Sequence, residues 1–149
     1  MELMLYQERA RELERDWKLM CNGEPEAAEP MHLPVAFGRE LIVKRSCPSQ
    51  RLIRVMFEEL CCKGIDGTAY GSPDYLALVS SCSALFLEEI PCLRRRQRDE
   101  AKRLVLLVDS LYEQRTNVRC RLIELAVDVD LDGDCICRYM LPSQRRMRQ

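Results

Sequence analysis

The chain has 149 residues, the size of one ordinary domain, with 47% hydrophobic and 32% charged residues and a formal net charge of -1. That balance describes a folded globular chain and excludes a disordered one. No apolar run approaches the ~18 residues that a membrane-spanning helix needs, and the near-zero net charge excludes a general nucleic-acid field.

In chain order, residues 1–22 read as one amphipathic helix. Leu3, Tyr6, Ala10, Leu13, Trp17 and Met20 recur every three or four positions, with charge on the other face. Asn22-Gly23 stops it. Residues 23–33 are a polar linker, so the helix is set apart and reads as the end of a preceding unit. Val35–Phe37 and Glu40–Val43 flank Gly38 as a hairpin, and Leu52–Phe57 is a third, alternating strand. Phe57–Cys61 begins a short helix, and Gly64, Gly67 and Gly71 mark a loop. Ser72-Pro73-Asp74 starts a helix running to Ser80: a capping Ser, Pro in the first turn, and an acid at the positive end of the dipole.

Ala84-Leu85-Phe86-Leu87 is an apolar run short enough for a buried strand, ended by Pro91. Arg98–Arg115 is the clearest helix, with a stripe of Ala101, Leu104, Val105, Val108, Leu111 and Tyr112. Val118–Val127 reads as a strand. The order strand, helix, strand predicts a βαβ unit with parallel strands and a right-handed crossover. Residues 128–149 form a charged, frayed tail. The fold class is α/β: a small mixed sheet with a C-terminal βαβ unit and an N-terminal amphipathic helix.

Chemistry-bearing patterns are few. A P-loop needs GxxxxGK[ST], in which backbone N–H groups and a Lys cradle phosphates; none of the six glycines begins one. Leu85-Phe86-Leu87-Glu88-Glu89 has the outline of a Walker B strand, but reads as a buried strand with solvated acids at its exit. Asp128-Val129-Asp130-Leu131-Asp132-Gly133-Asp134 matches the first half of a calcium loop, although the twelfth position is Tyr139 where a bidentate Glu belongs. A solvated acidic tail is the plainer reading, and calcium binding the alternative. The arginine runs Arg94–Arg96 and Arg145–Arg146 read as solvated surface, with phosphate contact the alternative.

Nine cysteines, an odd number with no CxxC pair and no secretory signal, point to reduced intracellular thiols used as small buried hydrophobes rather than to a disulfide framework. The sole histidine, His32, lies in a Pro-flanked loop, so neither a zinc site nor a Cys-His nucleophile is indicated. Glu2, Glu8, Glu12, Glu14 and Asp16 do not fit a mitochondrial presequence, which is Arg-rich and acid-poor. No catalytic residue and no metal ligand is assigned.

Four stretches, in order, carry a family resemblance: Gly38-Arg39-Glu40-Leu41; Phe57-Glu58-Glu59-Leu60-Cys61; Asp74-Tyr75-Leu76-Ala77-Leu78 followed by Ala84-Leu85-Phe86-Leu87 and Ile90-Pro91; and Asp99 through Glu113. Together they resemble the C-terminal part of the ZapE or AFG-one-like ATPases, AAA-like P-loop proteins linked to cell division in bacteria and to mitochondria in eukaryotes. The resemblance spans residues 34–127, with Trp17 and its helix fitting the segment upstream. Leu104 stands where the family has Phe, and the Gly64–Gly71 loop is longer.

The resemblance implies that ATP and Mg are held by a separate nucleotide-binding module carrying Walker A and B. That module would be the partner of this one, in an oligomer acting on a client that the sequence does not identify. It implies a mitochondrial address if the source is eukaryotic. The matched positions are Gly38, Arg39, Phe57, Leu60, Asp74, Tyr75, Pro91, Arg103, Asp109 and Tyr112. Tyr75 and Tyr112 are expected to pack, Asp74 to serve the helix dipole, and Asp109 to pair with a nearby Arg. Arg103 is the candidate for nucleotide contact, because Arg favours phosphate. A stand-alone interaction protein derived from the family is the alternative reading.

Overall fold

A computed structural model describes residues 2–64 and 67–122. The acidic loop at residues 128–139, the arginines at 145–148 and the rest of the expected tail lie outside that range. Helix α1 runs Glu2–Cys21, then strands β1 (Met31–Val35), β2 (Arg39–Val43), β3 (Arg45–Cys47) and β4 (Leu52–Met56) follow. After them come helices α2 (Phe57–Cys61) and α3 (Ser72–Ser80), strand β5 (Ala84–Ile90), helix α4 (Arg98–Glu113) and strand β6 (Asn117–Leu122). β1 and β2 form a separate antiparallel hairpin; the main sheet has the order β3-β4-β5-β6. β3 pairs antiparallel with β4, whereas β4-β5 and β5-β6 are parallel, so the sheet is mixed.

The expected βαβ unit is β5-α4-β6. A second one, β4-α2-α3-β5, was not expected from the sequence. Both crossovers place their helices on one face, as two connections of the same hand across adjacent strands must. Phe57 and Leu60 of α2, Tyr75, Leu78 and Val79 of α3, and Ala101, Leu104, Leu107 and Leu111 of α4 join Ile53, Val55, Leu85 and Leu87 in one core. The hairpin's Leu33, Val35, Leu41 and Val43 close it.

Residues two apart on a strand share a face. Leu52 of β4 and Ala84 and Phe86 of β5 therefore point the other way, where Leu13, Trp17 and Cys21 of α1 cover them. The Trp17 and Phe86 rings meet edge to face, centroids 5.0 Å apart at 87°. The helix that the linker sets apart in the sequence thus lies on the sheet.

Several boundaries differ from the sequence expectation. β1 begins at Met31, inside the expected 23–33 linker: Leu33 and Val35 are buried while His32 and Pro34 face out, so alternation extends through a segment that its prolines disguise. His32 is therefore on a strand, where its Nδ1 lies 3.1 Å from Glu40 Oε2. β3 has three residues, too short to register as a strand pattern. At α3 the capping residue is Gly71 rather than Ser72: the Gly71 N–H donates to Asp74 Oδ2 at 2.8 Å, so the third helical residue caps backwards.

Asn22 and Gly23 both take positive φ and end α1 as expected. Among the described residues no helix is long and apolar enough to cross a membrane.

Phe86 touches α1 through Trp17, with no solvent access of its own. Phe86→Ala is expected to lower the unfolding free energy by about 3–5 kcal/mol. Urea denaturation followed by Trp17 fluorescence would measure it as a lower midpoint with an unchanged slope.

Candidate functional site

Four of the matched motif residues, Arg39, Asp74, Tyr75 and Arg103, lie on the helical face of the sheet, where they tie one element to another. Arg39 of β2 donates through Nη2 to Asp74 Oδ2 of α3 at 3.1 Å, fixing the hairpin on the helix. Asp74 is fully buried, and its Oδ1 has no hydrogen-bond partner among the described residues. The Tyr75 hydroxyl donates to the Leu60 carbonyl at 2.8 Å, joining α3 to α2. Arg103 Nη1 donates to the Cys61 carbonyl at 2.8 Å, joining α4 to the end of α2. Two carbonyls at the C-terminus of a five-residue helix, which has no continuing turn to satisfy them, are thus capped by side chains from other elements.

Phe57 and Leu60 are buried beneath these ties. Gly38 takes φ +71 at the hairpin turn, a conformation that favours glycine, and Pro91 follows the last residue of β5.

Two of the matched residues stand apart. Tyr112 is 85% exposed, not packed. The buried line of α4 runs through Ala101, Leu104, Leu107 and Leu111, and the residue after Leu111 is turned about 100° away from it. Asp109 is exposed and has no ion pair among the described residues. Arg103 contacts backbone, and no phosphate-binding loop accompanies it.

The strongest charge cluster is on the opposite face. Arg54, only 7% exposed, sits between Ile53 and Val55 on β4. Its Nε donates to Glu88 of β5, and its Nη1 to Glu14 Oε2 of α1 at 2.7 Å. Its guanidinium carbon lies 5.7 Å from the centroid of the Trp17 ring, and that of Arg45 lies 6.0 Å from it. Glu26 completes the group: Oε1 accepts from Trp17 Nε1 and from Arg45 Nη2, each at 2.6 Å.

Glu88, expected as a solvated acid at a strand exit, is buried and paired. The register of β5 against β6 shifts between Leu87 and Ile90, and Glu89 there takes φ 60. The sequence signal that could have exposed this cluster is Arg54 itself, a charge flanked on both sides by buried-strand residues.

Hydrogen bonding to Arg45 is the main force holding the Glu26 carboxyl below its ordinary value of 4.5, with the Trp17 N–H adding to it and burial opposing both. Burial raises the Cys21 and Cys82 thiols to about 11 and Cys61 to about 12, so each keeps its proton at neutral pH and packs as a small hydrophobe. Cys21, Cys47, Cys61, Cys62 and Cys82 are free thiols, as the sequence suggests. Cys92 departs from that expectation and is disulfide-bonded. Among the described residues no group of acids, cysteines and histidine could hold a metal ion.

Removing Arg54 alone strands a buried carboxylate, so Arg54→Met should cost about 3–5 kcal/mol, whereas the double change Arg54→Met with Glu88→Leu should recover most of that loss. Urea midpoints of the three proteins decide it. The depressed Glu26 pKa contributes stability that is full above pH 4.5 and lost as pH falls through the lower folded value. Glu26→Gln should therefore be less stable than wild type at pH 7 and lose less on acidification, read from melting temperatures between pH 7 and pH 3.

The family model described as AFG1-like ATPase matches residues 3–135 of this chain. The chain is 28% identical over 81 residues to lactation elevated protein 1 homolog B of Danio rerio, a match covering 54% of this chain and 15% of that protein's length. No solved structure matches. A match running from the first helix past the last described strand, over a chain whose four motifs interlock in the order the sequence gives them, means that this protein belongs to the AFG1-like ATPase family.

Proposed function

We propose that this chain is a module of an AFG1-like ATPase that does not itself grip nucleotide. It would act beside a nucleotide-binding module that holds ATP and Mg. The observation that carries the reading is the absence of any GxxxxGK[ST] among the 149 residues. Two described side chains that could have supplied an unconventional site are otherwise engaged. Glu88, in the position of a Walker B acid, is buried against Arg54 and cannot turn to a cation without stranding that guanidinium. Arg103 donates to the Cys61 carbonyl. The loop holding Gly64, Gly67 and Gly71 is followed by Ser72-Pro73, with no Lys to reach a phosphate.

On this reading the described residues would hold neither ATP nor Mg, and no step of hydrolysis is assigned to them. What this chain would contribute is a rigid body. The Arg39–Asp74, Tyr75–Leu60 and Arg103–Cys61 ties lock the hairpin and three helices onto one sheet face, so that force or movement arising in a neighbouring module passes through it without being dissipated.

Incubation of the purified chain with a fluorescent ATP analogue and Mg, followed by a phosphate-release assay, should give neither saturable binding nor turnover. Saturable binding with turnover would overturn the reading. Loss of that turnover in Glu88→Gln or Arg103→Ala would then locate the site.

A further inference from the structure

Two thiols face each other where α1 lies on the outer strand of the main sheet. Cys21 is the last residue of α1 and Cys47 the last of β3, and both are free and buried, with 5% and 0% exposure. They belong to the small core between helix and sheet, with Leu13, Trp17, Leu52, Ala84 and Phe86. Their side chains are hydrogen-bonded to each other.

The contact follows from the register of helix on strand. Trp17 and Cys21 are four residues apart on one face of α1, a rise of about 6 Å. Arg45 and Cys47 are two residues apart on one face of β3, a rise of about 6.6 Å. Arg45 lies over the Trp17 ring and is bonded to Glu26, which also accepts from the Trp17 N–H. With the first pair so fixed, the matching rises bring Cys21 to Cys47. The segment between the two thiols is held as well: the Ala27 N–H donates to the Ser46 carbonyl at 2.9 Å, which lays the chain back against β3.

The two sulfurs differ in access. Cys21 lines a cavity of about 330 Å³ that opens between α1 and the segment after it. Cys47 has no solvent access of its own. Burial, and then the neighbouring Cys47 thiol, raise the Cys21 thiol to about 11, so little of it is thiolate at neutral pH and it reacts slowly. A small oxidant present for a long time suits such a thiol.

We propose that Cys21 and Cys47 are a peroxide-oxidisable pair whose disulfide fastens α1 covalently to the main sheet. The Cys21 thiolate attacks hydrogen peroxide and breaks its O–O bond. One oxygen stays on sulfur as the sulfenic acid, and the other leaves as hydroxide, which takes up the proton that Cys21 gave. The Cys47 sulfur then attacks the Cys21 sulfur and breaks its S–O bond, and that hydroxide leaves as water with the Cys47 proton. Two thiols and one peroxide become one disulfide and two waters; the sulfurs lose two electrons and the peroxide gains them. Cys21 is the reacting thiol and Cys47 the resolving one. This does not depend on the nucleotide reading above.

The test treats the purified full chain with hydrogen peroxide, alkylates the remaining thiols and digests with trypsin. Cleavage after Lys and Arg leaves Cys21 in the fragment 19–39 and Cys47 in the fragment 46–51, each the sole cysteine of its fragment, so the mass of the linked pair is diagnostic. The linked pair should replace the two separate fragments, and dithiothreitol should restore them. The oxidised chain should melt several degrees above the same sample after reduction. In Cys47→Ala, which lacks the resolving thiol, dimedone should trap the sulfenic acid on Cys21; in Cys21→Ala, Cys47 should stay unlabelled. Recovery of both wild-type fragments as free thiols, Cys21 joined to a different cysteine, or a dimedone label on Cys47 would overturn the proposal. An oxidised chain that melts no higher than the reduced one would overturn the fastening of α1.

Discussion

The constraint on which this fold rests is that β5 must be covered on both faces. Ala84 through Leu87 are all buried, and two neighbours in a strand face opposite ways, so apolar surface faces both sides of the sheet. One face is covered by helices that the two parallel crossovers deliver as a matter of handedness. The other has no crossover helix and depends on α1, which arrives from the beginning of the chain. Arg54 makes that arrangement specific: a buried cation bridging Glu14 and Glu88 and lying near Trp17 accepts only one placement of α1 on the strands. Its two hydrogen-bonded partners are 40 and 34 residues away in the chain.

The two faces are held by different chemistry. The helical face is closed by side chains donating to backbone carbonyls at the end of α2, and by Arg39 on Asp74. Two are side-chain bonds to carbonyls and the third is an ion pair, around a mainly apolar core. The α1 face is held by a cluster of cations, carboxylates and an indole in which Arg54, Arg45, Glu26 and Trp17 each have more than one partner. On the first face, loss of Arg39 would leave the fully buried Asp74 carboxylate without its cation, whereas the two carbonyl ties would stand. On the second face, loss of Arg54 leaves a buried carboxylate, so its members act as a unit.

Much of the first face was legible in the sequence, because its signals are local. The stripe on α4, the Pro-Asp start of α3, the glycine at the hairpin turn and the proline after β5 each act within a few residues, and the motif order along them is what identified the family. The second face was not legible, because its determinants are pairings over long separations. Arg54 in an alternating strand reads as the solvent side, and Glu88 at the end of an apolar run reads as an exit. Only the arrival of α1 makes both of them interior. Tyr112 failed in the opposite direction: an aromatic next to a buried leucine was counted into the stripe, although the helix turns it outward. Asp74 reads in the sequence as a helix-dipole acid, Tyr75 as packing and Arg103 as a nucleotide contact; the atoms they hold in the structure are not legible there.

β3 is the outer strand of the main sheet and has only three residues, with Pro48 immediately after it and a tight turn from Pro48 to Gln50. An outer strand leaves a row of amide donors and acceptors unpaired, and a long flat one would template the addition of a further strand from any chain with apolar sequence to offer. Three residues present too little ladder for that, and a proline cannot extend it because it has no N–H to give. Along this margin the short strand blunts accretion by sheet growth.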